Sequence, residues 1–90
     1  MAYEGELADD DWVKQRNLVK ESLKDPDSAN FRDVRGAYTG GQLFMVCGEV
    51  NAKNSFGGYS GYSPFVIVSS VLEIADDAES AMSINKICKN

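Results

Sequence analysis

Histidine is absent from the sequence. That removes the commonest general base and the commonest metal ligand. Ser55, Ser60 and Ser63 therefore have no imidazole to activate them as nucleophiles. Cysteine is scarce, with two residues, Cys47 and Cys88. They lie too far apart for a CxxC redox pair and are too few for a zinc set. Apolar runs such as Phe65-Val66-Ile67-Val68 stop well short of the ~20 residues a membrane helix needs, so no membrane span is expected. Positive charge is outweighed, 9 basic residues against 14 acidic, for a net charge of −5. Nucleic acid is a poor partner for such a chain, because phosphate binding needs clustered Lys and Arg, and Arg32 and Arg35 are separated by Asp33 and Val34. A secretory signal is also missing from Met1 to Trp12, where acids stand in place of a basic and then apolar start. As written, the sequence reads as cytoplasmic; if a leader precedes it, the compartment becomes periplasm or envelope.

What is present is an ordinary globular composition, 43% hydrophobic and 26% charged. Its 90 residues predict one domain, 1–90. The acids Glu4, Glu6, Asp9, Asp10 and Asp11 mark 1–10 as an acidic N-terminal tail that leads into a helix, or else as a lure for a basic surface. A helix is predicted over Asp11 to Leu23, with Asp10 as its cap and Trp12, Val19 and Leu23 on one face, widened by Val13 and Leu18. Pro26 ends it and, with Asp25, starts a short turn through Ala29.

After Phe31 the pattern turns to strands. Arg32 opens a strand that ends near Tyr38, and Thr39-Gly40-Gly41 reads as a hairpin turn. Gln42 to Ala52 is the strongest strand, with Gly48 marking a bulge or a close packing contact. Phe65 to Val68 follows Pro64 as another strand. Val71 to Ile74 either forms a fourth beyond a Ser69-Ser70 turn or continues the third. Asp76 is the predicted cap of a last helix with Ala81, Ile84 and Cys88 on one face. The expected fold is α+β: a small antiparallel sheet of three or four strands, with an N-terminal and a C-terminal helix packed on one face.

Four features bear on function. Cys47 in a central strand and Cys88 in the last helix form either a bridge, contributing roughly 4 kcal/mol by the chain-entropy estimate, or two buried thiols. Glu49 and Glu73 are either a carboxylate pair in a common cleft or two exposed strand residues. The glycines of Phe56-Gly57-Gly58-Tyr59-Ser60-Gly61 do not fit phosphate-loop spacing, since Lys53 precedes them. The segment from Asn51 to Ser63 places Phe56, Tyr59 and Tyr62 at a spacing of three among glycines, a composition that suits adaptable binding loops. Its candidate binding residues are Asn51, Lys53, Asn54, Phe56, Tyr59 and Tyr62. Alternatively, its rings fold back on the sheet and its asparagines cap turns.

LKDPDSANFR (Leu23 to Arg32), followed by VCGEVNAKNSFGGYSGYSPF (Val46 to Phe65), resembles a family of short proteins from proteobacteria and their phages and prophages. Many of these sit behind a lipoprotein or secretory signal. The similarity spans about Leu18 to Phe65. It implies that Cys47, and with it Cys88, are family features, which favours a disulfide in exported members. The chain departs from the family in lacking the signal and in ending Ser83-Ile84-Asn85-Lys86-Ile87-Cys88, where an aromatic residue is expected. No catalytic residues come with the resemblance. The sequence thus points to a non-enzymatic, cofactor-free module of phage or prophage origin that binds a host or envelope protein, with a disulfide-stabilised structural domain of the bacterial cell envelope as the alternative.

Overall fold

The computed structural model describes residues 2–5, 7–53, 56–59 and 61–88, with side chains described from Leu7 onward. Its elements are β1 (Ala2–Gly5), α1 (Asp9–Glu21), a 3-10 turn (Pro26–Ser28), β2 (Asn30–Thr39), β3 (Gln42–Asn51), β4 (Ser63–Val68), β5 (Val71–Ile74) and α2 (Ala78–Cys88). The strands form one antiparallel meander in the order β1-β2-β3-β4-β5. The fold is α+β, with a helix towards each end of the chain. The strands read from the sequence are β2 to β5. The acidic segment adds a further short strand, because Ala2–Gly5 pairs with Gly36 to Thr39. Part of what reads as a solvated tail is therefore an edge of the sheet.

The helices do not share a face. Val46, Val50, Phe65 and Ile67 cluster with Val19 of α1. Cys47 and Val66 cluster instead with Ile84 and Cys88 of α2. Neighbouring strand residues point to opposite sides, so α1 covers one face and α2 the other. The sequence hides this arrangement because β3 and β4 are apolar on both faces, as strands buried between two layers must be.

Helix α1 begins two residues before the expected Asp11. Ala8 is the extended N-cap, with no side-chain cap, and Asp9, Asp10 and Asp11 all lie in the first turn. There they favour the positive end of the helix without capping it. A side chain from β2 holds this start: the Tyr38 hydroxyl accepts from the Ala8 N–H at 3.2 Å and donates to Asp11 Oδ2 at 3.0 Å. Val19 is fully buried, Leu18 and Leu23 pack beside it, and Trp12 meets Phe31 edge-on at 5.1 Å. Val13 lies largely outside this contact.

Of the two roles expected of Gly48, the structure gives it the close packing contact, while the bulge lies across from it on β2. A Cβ at Gly48 would stand 2.9 Å from the Phe65 ring and 2.9 Å from Val34 Cγ2, so the ring lies directly over the glycine backbone. Opposite it, the β2 register slips between Arg32, paired with Glu49, and Arg35, paired with Cys47. This is a β-bulge, with Asp33 in the left-handed region at φ 54°. Gly40 and Gly41, both at positive φ, make the β2–β3 turn, whereas Ser69 and Ser70 make the β4–β5 turn at φ 49° and 67°. The cap of α2 is Asp77 and not Asp76: its Oδ1 accepts from the Ser80 N–H at 2.7 Å.

Candidate functional site

The connection from β3 to β4 is a long hairpin. Ladder pairing runs out to Val50 and Ser63, and one further bridge joins Lys53 to Tyr59 near the tip. Gly57 and Gly61 take φ angles of 81° and 98°, which L side chains rarely adopt, so the glycines set the path of the loop. The 3-10 turn braces it. Ser28 Oγ donates to the Asp25 carbonyl at 2.7 Å and accepts from the Lys53 N–H at 2.8 Å, while the Tyr59 hydroxyl donates to the Ser28 carbonyl at 3.1 Å. The Lys53 ammonium also stands 5.9 Å from the centre of the Tyr59 ring.

The three aromatic rings of the segment have different surroundings. Phe56 is 96% exposed at the tip, and Tyr59 is 48% exposed although its hydroxyl is anchored. Tyr62 is half-buried, and the Arg32 guanidinium sits 3.8 Å from its ring centre. The rings therefore do not fold into the core. Of the remaining candidates, Asn51 closes β3, and its buried Oδ1 accepts no hydrogen bond among the described residues. Asn54 lies outside the described residues. The hairpin thus brings together Lys53, Phe56, Tyr59 and Tyr62, with Asn51 at its base.

Arg32 was missed by reasoning along the sequence. It forms an ion pair with Glu49 through Nε at 3.0 Å, and that hydrogen bond raises its pKa above the ordinary arginine value. Residues three apart in a regular strand point to opposite faces. The bulge at Asp33-Val34 absorbs one position and puts Arg32 and Arg35 on the same face, that of α2. Arg35 donates to the Asp33 carbonyl at 2.9 Å and to the Cys88 carbonyl at 3.1 Å, tying β2 to the end of α2. Asp33, Val34, Arg35, Glu49 and Asn85 line an open cleft of about 580 Å³ on this face. The sequence carries a weak signal for the bulge, since Asp tolerates the left-handed conformation better than most residues.

Glu49 and Glu73 do not form a pair. Both lie on the α2 face, but on β3 and β5 with β4 between them, so at ~4.8 Å per strand their backbones stand at least ~10 Å apart. Glu49 is committed to Arg32 instead. Cys47 and Cys88 are joined as a disulfide, with Cα atoms 6.0 Å apart and both residues buried. This decides between the two sequence readings of the cysteines: the bridge pins α2 to β3. Among the described residues no group of His, Cys, Asp and Glu has the arrangement of a metal site, and no helix is long and apolar enough to cross a membrane. No family model, no curated protein and no solved structure matches the chain.

Proposed function

We propose that this chain is a non-enzymatic protein-binding module of phage or prophage origin, which docks on a host or envelope protein of a bacterium through the β3–β4 hairpin. The observation that carries the reading is a 96% exposed Phe56 at the tip of a hairpin that is braced by Tyr59 on Ser28 and by Tyr62 under Arg32. An exposed ring on a braced loop loses little conformational freedom on binding, which is the main expense of ordering a recognition loop. Aromatic residues and arginine are also the side chains that most often dominate interface energies. The acidic balance disfavours nucleic acid as the partner.

The Cys47–Cys88 bridge favours a second reading that is compatible with the first: a disulfide-stabilised domain working in the oxidising space of the cell envelope. The resemblance to exported short proteins points the same way.

Capture from a bacterial envelope extract tests the docking reading. Wild type is expected to retain a discrete protein that Phe56→Ala and Tyr62→Ala each release, while Phe56→Ala keeps the wild-type melting temperature. An identical captured set from wild type and both variants would contradict docking through the hairpin.

A further inference from the structure

We infer that Arg32 is a preorganised fork for a carboxylate, and that the docking partner presents a planar monoanion to it. This rests on the docking reading above and names the chemistry of what docks. Three contacts fix the guanidinium. Its Nε is held by Glu49 Oε1 at 3.0 Å, its Cζ lies over the Tyr62 ring at 3.8 Å from the ring centre, and its backbone is registered opposite Glu49 by the bulge. The side chain is nevertheless 52% exposed. Neither terminal nitrogen makes a hydrogen bond or ion pair among the described residues. With Nε occupied, the remaining approach is end-on, across Nη1 and Nη2. Two parallel N–H donors in that geometry match the two oxygens of a carboxylate. A guanidinium already seated over a ring and pinned at Nε gives up little rotamer freedom on binding, unlike the usual surface arginine.

Local charge selects the class of anion. Arg32 and Arg35 are balanced by Glu49 and Asp33 on the same stretch of the α2 face, so the site has a directional donor pair without surplus positive charge. A dianionic phosphate needs that surplus, and Glu49 beside the fork repels it more than it repels a monoanion. A carboxylate satisfies both donors at lower charge. The fork also lies beside Tyr62, next to the hairpin proposed to dock. An acidic side chain or a chain terminus of the partner would thus meet Arg32 when the aromatic tip is engaged.

The test uses the full oxidised chain labelled with ¹⁵N and ¹³C, titrated with sodium acetate, sodium phosphate or sodium chloride at constant ionic strength. Acetate is expected to shift the Arg32 side-chain and Tyr62 ring signals along a saturating curve, with no such curve at Arg16. Arg32→Lys, which keeps the charge and loses the fork, is expected to abolish the saturation with the fold unchanged. Two peptide probes, acetyl-Gly-Glu-Gly-amide and acetyl-Gly-Gly with a free terminus, identify the source, and tighter binding by either one names it. Equal linear shifts with acetate and chloride, tighter binding of phosphate, or acetate saturation that survives in Arg32→Lys would each overturn the fork. The two readings fail separately. Partner capture that is lost in Phe56→Ala but unchanged in Arg32→Lys keeps the docking and removes the fork, whereas acetate saturation without any captured protein keeps the fork and removes the docking.

Discussion

The two faces of the sheet are built by different means. Under α1, the buried set is entirely apolar: Val19, Val46, Val50, Phe65 and Ile67, with Phe31 bridging the Trp12 and Phe65 rings edge-on. Under α2, the cluster is smaller and holds a covalent link, Cys47 to Cys88, with Arg35 fastening the last helical carbonyl to β2. The first face has enough large side chains to hold a helix by burial. The second holds a shorter helix over small residues and adds a bridge and a hydrogen-bonded arginine. The α2 face also carries the Arg32–Glu49 ion pair and the half-buried Tyr62 ring beneath Arg32. The face with less apolar packing is the one that carries the candidate binding surface.

Substitutions on each face sharpen that contrast, and the largest effect is expected under α1. Phe65→Ala should lower the unfolding free energy by about 3–5 kcal/mol in a denaturant titration, because a fully buried ring is deleted from the centre of the sheet. The double change Cys47→Ala with Cys88→Ala opens a loop of 41 positions and should remove about 4 kcal/mol by the chain-entropy estimate. Hydrogen exchange locates that loss: α2 amides should speed up more than those of α1. Equal acceleration in both helices would mean that the faces are not separable in this way. Gly48→Ala should remove about 1–3 kcal/mol, since its Cβ would meet Phe65 and Val34 at 2.9 Å. In the opposite direction, Ser70→Gly should add about 0.5–1 kcal/mol by relieving a serine at φ 67°.

The smallest effect concerns pH and the start of α2. Hydrogen bonds from the Ser80 N–H and hydroxyl hold the Asp77 carboxyl below the usual aspartate range. A carboxyl depressed in the folded state contributes stability above its unfolded pKa of about 3.9, and that contribution fades as the pH falls through the folded value. Exchange at the first turn of α2 should therefore rise below about pH 4 in the wild type, and Asp77→Asn should flatten that rise. A rise of the same size in Asp77→Asn would assign it to another carboxylate.

Much of this architecture is legible along the chain because local rules and tertiary packing agree. Pro26 ends the first helical segment, Gly40-Gly41 turns a hairpin, and Gly48 reads as either a bulge or a close contact, of which the contact is found. The helix boundaries shift because tertiary contacts, the Tyr38 hydroxyl at Ala8 among them, move them by a turn or less. Two features lie beyond such reading. Strands apolar on both sides do not reveal which helix takes which face. A bulge of one residue reverses the direction of the side chains that follow it until the next register shift, between Ala37 and Tyr38. Arg32 and Arg35 therefore share a face, although a regular spacing of three would oppose them. The aromatic segment was recognisable by composition, but its brace on Ser28 depends on a contact across 31 positions that no local pattern announces.

A photoreactive amino acid placed at position 56, and in a second version at position 14 on the exposed side of α1, tests the binding surface in living bacteria. Illumination should yield one discrete protein adduct from position 56 and none from position 14. Adducts of equal yield from both positions, or from position 14 alone, would contradict the proposal that the chain docks through the β3–β4 hairpin.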